Sequence, residues 1–227
     1  MNNAELNKKM VRHSRTLTYI LAAFLLVALF LKNSVSKTTD YSNLASELGI
    51  LSFIFISLAL SVTPIRTLFP AFVFNGTIFF ARRAIGVSSF AFAALHFSLQ
   101  FVFFFGSSLD ALFLFNQNAS NAIFFGIVSA LILFFMTITS TDWAVAKLGK
   151  NWFLLHRFVY LAYPLIILHA VLIGSDFTRL SFLSGVFLLA AALTIILEAA
   201  RLNKTLRQKT ISINPKPEPE KPPKRNP

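Results

Sequence analysis

His96, His156 and His169 lie within or at the edges of strongly apolar segments, and the last two are 13 residues apart on one apolar run. A neutral imidazole in hydrocarbon is costly unless its ring nitrogens are used, and ionisable residues inside membrane segments mark sites. Two uses are open to such a ring. It can hydrogen-bond between helices, a contact worth ~0.6 kcal/mol on average, or it can ligate iron, most simply as an axial ligand of haem. Three such rings, placed toward both ends of the apolar segments, point to haem ligation and to electrons passing between the faces of a membrane. His13 sits in a basic, polar stretch and is assigned to solvent.

The elements that must position these rings are membrane helices. The chain has 227 residues, is 56% hydrophobic and only 13% charged, and its mean hydropathy is +0.67. Several stretches reach the ~20 apolar residues needed to cross hydrocarbon. Six are read from the sequence, at roughly 16–32, 46–63, 84–106, 121–139, 152–174 and 180–200. The expected fold is therefore all-α: a polytopic membrane helical bundle of six transmembrane helices. Residues 1–15 form a basic N-terminal segment, 16–200 the bundle, and 201–227 a basic, Pro-rich tail. The first apolar run follows Lys8, Lys9, Arg12 and Arg15, but no small-residue cleavage site clearly follows it, so it is read as a retained span. Residues 68–80 are apolar but short and interrupted by Pro70, Asn75 and Gly76, so an interfacial or re-entrant piece is expected there.

Lys and Arg set the orientation. Arg66, Arg82, Arg83, Lys147, Lys150, Arg157, Arg201, Lys204 and Arg207 fall on the side of the termini, whereas the opposite loops hold only Lys32, Lys37 and Arg179. By the positive-inside rule both termini are cytoplasmic. The formal charge of +12 is thereby spent on topology and on the tail, and nucleic acid is not an expected partner. Six of the nine prolines lie in the last 13 residues, interleaved with Lys and Glu. Such a tail cannot bury a core and reads as extended and disordered, with its basic residues able to touch anionic membrane lipid.

Cysteine is absent, which excludes disulfides, cysteine-ligated clusters and covalently attached c-type haem. A haem here would be held as in a b-type cytochrome. With the third span entering at Arg83 and the fifth at Trp152, His96 lies ~20 Å deep, His169 ~25 Å and His156 only ~6 Å. His96 and His169 are thus nearest in depth and can clamp one haem between two helices toward the outer face. His156 stands alone near the inner face, where a second haem would need another ligand or an open position. As an alternative, it is an interfacial residue beside Arg157. Thirteen residues of ideal helix turn ~220° beyond whole turns, so His156 and His169 share a face only if the helix bends. Pro164 lies between them and is the expected kink. Arg82 and Arg83 lie on the inner side, as topology determinants or as partners for anionic haem propionates. There is no Gly-rich dinucleotide fingerprint and no soluble flavin domain, so the chain does not itself draw hydride from a nicotinamide.

The order of residues then carries a resemblance. Thr63-Pro64 ends the second span, Arg82-Arg83-Ala84-Ile85-Gly86 leads to Ala94-Leu95-His96-Phe97, and Thr139-Ser140-Thr141 precedes Lys147-Leu148-Gly149-Lys150-Asn151-Trp152. Leu155-His156-Arg157-Phe158-Val159-Tyr160 and His169 follow. From about residue 45 to 200 this resembles the ferric reductase-like transmembrane domain family, and within it the MsrQ-type haem-binding subunits of the bacterial periplasmic methionine sulfoxide reductase system. The resemblance implies a multi-pass protein of the bacterial cytoplasmic (inner) membrane, with His96 and His169 on the iron of a b-type haem and His156 in a second site. It also implies electrons from the quinone pool, an association with FMN, and a periplasmic molybdopterin-containing partner that reduces methionine sulfoxide. Related NADPH oxidases and eukaryotic ferric reductases carry two histidines on each ligand helix. Here the third span has one, with Arg82 roughly where the other would fall, so the haem count is one or two.

The expected function is that of a transmembrane electron-transfer subunit, one part of an oxidoreductase system rather than a complete enzyme. Two alternatives stand beside it. One is a stand-alone ferric iron or oxygen reductase component fed by a separate donor. The other is a non-redox membrane protein whose histidines only hydrogen-bond between helices, which would purify colourless.

Overall fold

The structure, a computed structural model, describes residues 3–34, 41–108, 110, 116–173 and 181–213. Apolar length dominates what forms. Among the described residues six helices are long and apolar enough to cross a membrane, and there is no strand. The elements are α1 (Asn3–Ser34), α2 (Tyr41–Leu68), α3 (Asn75–Phe103), α4 (Gln117–Ile138), α5 (Asp142–Leu148), α6 (Lys150–Arg157), α7 (Val159–Ile173) and α8 (Phe182–Ile213). The six spans anticipated from the sequence are all present; α6 and α7 together make the fifth, and α5 is a short helix before it. The Pro-rich stretch of the tail, from residue 214 on, lies outside the described residues, as do Lys37 and Arg179.

The helix ends follow local chemistry. The Asn116 side chain caps α4 by accepting from the Ala119 amide at 2.9 Å, and Thr141 caps α5 from the Ala144 amide at 3.1 Å. Gly149 joins α5 to α6 at φ 51° and ψ −120°, a backbone that only a residue without Cβ adopts freely. Residues 75–80, which the sequence sets apart from the third span, are continuous with it as the first turns of α3. Asn75 donates to the carbonyls of Phe69 and Pro70 at 2.8 and 3.1 Å, so it completes the preceding turn instead of breaking the helix. Pro164 lies inside α7, and the helix of the fifth span is interrupted at Phe158. There the Phe158 amide takes the Leu155 carbonyl at 3.1 Å, a three-residue bond that tightens the last turn of α6.

α2 is the central helix: 61% of its spanning window is buried, against 17–22% for each of the others. It packs on α3 and α8, while α4 packs on α7 and α1 on α3. One core cluster joins Phe53, Ile56 and Leu60 to Leu133, Val159, Tyr163 and Phe187; a second joins Ala22, Leu44, Leu48, Phe55 and Phe92. Hydrocarbon supplies no hydrophobic drive between helices, so small polar contacts contribute more. Ser52 and Ser89 exchange bonds, each hydroxyl donating to the other's carbonyl at 2.9 Å. The large apolar side chains left on the outer faces, such as Phe24, Leu58 and Leu189, are what a helix turned to lipid carries.

Candidate metal centre

The second and third spans, α2 and α3, are consecutive and antiparallel, and so are the fourth and fifth, in which α4 packs on α7. Each pair places a histidine near the C-terminal end of one helix against the N-terminal turns of the other. His96 of α3 lies against Ala45 and Gly49 of α2; His169 of α7 lies against Ala122 and Gly126 of α4. The site is built twice, by the same local device, and the two halves meet. The ring centroids of His96 and His169 are 6.2 Å apart, with their planes at 82°. The depths read from the sequence brought these two together, and the structure does the same.

The hydrogen bonds fix the chemistry of both rings. His96 Nδ1 is 2.7 Å from the Ala45 carbonyl, and His169 Nδ1 is 2.8 Å from the Ala122 carbonyl. A carbonyl only accepts, so each Nδ1 carries the proton and donates it. Each Nε2 is left as a lone pair. An imidazole nitrogen binds a metal at ~2 Å, and the ring centre lies ~1 Å behind it, so two imidazoles on opposite sides of one ion put their centroids ~6 Å apart. The pair fits that arrangement. Among the described residues no group of three or more His, Asp or Glu is gathered. A bare ion asks for three or four protein ligands, whereas a macrocycle brings four nitrogens and leaves two axial positions. Two lone pairs, on rings 6.2 Å apart between centroids, match the second case.

His156 is not brought to this pair. It lies at the other end of the fifth span, 13 residues or ~20 Å along the helix from His169. Its Nδ1 is 3.1 Å from the Trp152 carbonyl one turn back, its Nε2 is 3.4 Å from the Ser140 hydroxyl, and its ring stacks on Trp152 at 3.8 Å. Trp152 in turn donates Nε1–H to the Thr139 carbonyl at 3.0 Å. Arg83 lies over the Trp152 ring at 5.8 Å and is ion-paired with Asp142, which also accepts from Arg15 at 3.1 Å. Those two guanidinium groups hold the Asp142 carboxyl below its ordinary pKa. Arg82 points elsewhere and donates to the Thr63 hydroxyl at 2.9 Å. Near it, Tyr160 and Arg201 both bond Glu198, at 3.2 and 2.7 Å. Arg82 and Arg83 both lie close enough to His156 to act on it electrostatically; Arg83 also lies over Trp152, while Arg82 is hydrogen-bonded to Thr63.

Sequence reasoning missed the residues that receive the rings. The signal was there as two matching stretches, Ala45-x-x-x-Gly49 and Ala122-x-x-x-Gly126, each one span before a histidine. Small residues four apart let another helix approach closely.

Comparison with known proteins follows from this geometry. A family model described as ferric reductase like transmembrane component matches residues 48–167; it includes His96 and His156, and His169 lies just beyond its end. The chain is similar to the protein-methionine-sulfoxide reductase heme-binding subunit MsrQ of Agrobacterium fabrum, 32% identical over 136 residues, covering 58% of this chain and 58% of that protein. It is also similar to the subunit of the same name from Brucella ovis, 35% identical over 115 residues, covering 51% of this chain and 50% of that protein. The chain spans about half the length of the curated relatives it matches. No solved structure matches it.

Proposed function

The chain belongs to the ferric reductase like transmembrane component family, and from that premise we propose that it is a membrane electron-transfer subunit holding a b-type haem between His96 and His169. The observation that carries this is the pair of imidazoles, 6.2 Å between centroids, each with its Nδ1–H committed to a backbone carbonyl. The relatives' designation as heme-binding subunits supports it.

A bound haem would supply a one-electron carrier. The chain's own residues do the rest. His96 and His169 present Nε2 lone pairs from two different helices, so the spacing of α3 and α7 sets the gap between ligands. The bonds to Ala45 and Ala122 fix the tautomers and raise ligand basicity. Surrounding apolar helices exclude water. By the distribution of Lys and Arg, the end carrying Arg82, Arg83 and Lys147 faces the cytoplasm and the histidine pair lies toward the external face. His156, stacked on Trp152 beside Arg83, belongs to the cytoplasmic end, where electrons enter, from quinol or through FMN. It is the residue available there for a second haem once Ser140 releases its Nε2, with Arg82 and Arg83 as cations for propionates. The chain lies in the inner membrane of a bacterium, and its acceptor is a periplasmic, molybdopterin-containing methionine sulfoxide reductase subunit.

The deciding measurement is a dithionite-reduced minus oxidised visible spectrum of the purified full chain, with haem quantified per protein, beside His96→Ala and His169→Ala. Sharp b-type bands lost in both variants are expected; a colourless wild type from haem-replete cells would sink the proposal. The family's own description favours a second reading, reduction of ferric iron. Reoxidation of the reduced protein by a ferric chelate as fast as by a sulfoxide reductase partner would support it.

A further inference from the structure

Gly49 and Gly126 meet the two histidines in a way no other described glycine does. A Cβ built on Gly126 would lie 2.7 Å from His169 Nδ1, 2.9 Å from Cε1 and 3.1 Å from Cγ. A Cβ on Gly49 would lie 3.0 Å from His96 Nδ1, 3.2 Å from Cε1 and 3.5 Å from Cγ. In both cases the three nearest atoms all belong to the one imidazole. Gly86 and Gly185, inside α3 and α8, would meet nothing within 4 Å. Neither Gly49 nor Gly126 has a positive φ, so no backbone demand accounts for them, and inside a helix glycine is the less stable choice beside alanine. What the missing side chain provides is room for a ring.

The consequence reaches the ligand atoms. Each ring lies flat enough on its neighbouring helix for Nδ1 to reach a carbonyl exactly one turn before the glycine, Ala45 before Gly49 and Ala122 before Gly126. The glycine fixes how close the ring sits; the carbonyl fixes its rotation. Each ring is thereby restrained on its own neighbouring helix, and the two ring planes stand at 82°.

We propose that Gly49 and Gly126 are positioning residues for the two imidazoles, a cradle that orients His96 and His169 as axial ligands. This rests on the haem reading above. Gly126 is the tighter of the two and its replacement acts more strongly. A methyl group there pushes the ring off α4, lengthens or breaks the Nδ1–H bond to Ala122 and turns the plane of His169 relative to His96.

The test uses the full chain, prepared with haem and in haem-free form, as Gly49→Ala, Gly126→Ala, and the controls Gly86→Ala and Gly185→Ala. Haem titration and the ferric low-spin electron paramagnetic resonance signal are the readouts. Wild type, with near-perpendicular rings, is expected to give a strongly anisotropic signal. Gly126→Ala is expected to lose about 10–100-fold in haem affinity, the range for changes to groups that orient a metal ligand, and to shift the signal; Gly49→Ala does the same to a smaller extent, and the controls do neither. Thermal unfolding of the haem-free protein supplies an independent measure. Gly126→Ala should lower Tm in the native background but not in a His169→Ala background, where the ring it would strike is gone and alanine is the better helix former. Affinity and signal equal to wild type in both cradle variants would overturn the proposal, as would a Tm loss that persists without His169. A wild type that binds no haem overturns the functional reading itself, and is told apart by the control variants being equally colourless.

Discussion

Lys32 and Glu47 form an ion pair between α1 and α2 in which the two partners are buried unequally: the Lys32 side chain is 63% exposed and that of Glu47 only 6%. Glu47 also accepts from Asn33 at 3.0 Å. The asymmetry sets an order of costs. Lys32→Ala leaves a buried carboxylate without its counter-ion, an error costing about 1–3 kcal/mol. Glu47→Gln removes the buried charge, keeps a partner for Asn33 and returns an exposed ammonium to water, for under ~1 kcal/mol. Thermal unfolding in detergent should therefore rank Lys32→Ala well below Glu47→Gln; the reverse order would show that the pair is not buried as described.

Asp142 joins three elements, since it sits on α5 and accepts from Arg15 of α1 and Arg83 of α3. Its folded pKa is lowered by those hydrogen bonds. A lowered carboxylate pKa contributes stability that is fully present above the unfolded value of ~3.9 and is lost as pH falls through the folded value. Because the side chain is 74% exposed, solvent screening keeps the contribution under ~1 kcal/mol. Unfolding followed from pH 6 downward should show a small acid-side loss that Asp142→Asn removes, and that high salt weakens in wild type.

Tyr163 bonds Ser57 at 2.9 Å in the core and stacks on Phe53 at 5.2 Å between ring centroids, away from both histidine groups. Tyr163→Phe keeps the ring and removes only the hydroxyl. It should cost about 1 kcal/mol of stability while leaving haem per protein at the wild-type value. A large loss of haem would mean that the core between α2 and α7 is part of the site.

What could be read in advance was whatever depends on one segment at a time. Apolar length announced each of the six spans, and counting ~1.5 Å per residue placed His96 and His169 at one level. What stayed hidden depends on partners distant in the chain. Ala45 and His96 are 51 residues apart, Ala122 and His169 are 47, and Arg15 and Asp142 are 127; no periodicity links them. The interruption of the fifth span at Leu155 to Phe158, six residues before Pro164, was hidden because no residue of turn type marks it. The start of α3 was hidden because Asn75 and Gly76 are turn residues by type, and only their contacts show that Asn75 closes the turn before the helix.

His156 offers the sharpest division between the two ends of the molecule. Its nitrogens face Trp152 and Ser140, its ring is stacked on Trp152, and ~20 Å of helix separates it from His169. A residue so placed cannot be an axial partner of His96. His156→Ala should therefore keep the reduced-minus-oxidised bands that depend on His96 and His169, with their midpoint potential within error of wild type, while slowing reduction by a quinol added to the membrane. Ser140→Ala removes the hydroxyl beside Nε2 and should leave the same bands intact. Haem counted per protein separates the remaining cases: one haem in both wild type and His156→Ala assigns His156 to electron entry alone, whereas a fall from two to one assigns it to a second haem. Loss of every band in His156→Ala, with the protein still folded, would mean that the two ends form one site and that the arrangement of His96 opposite His169 is wrong.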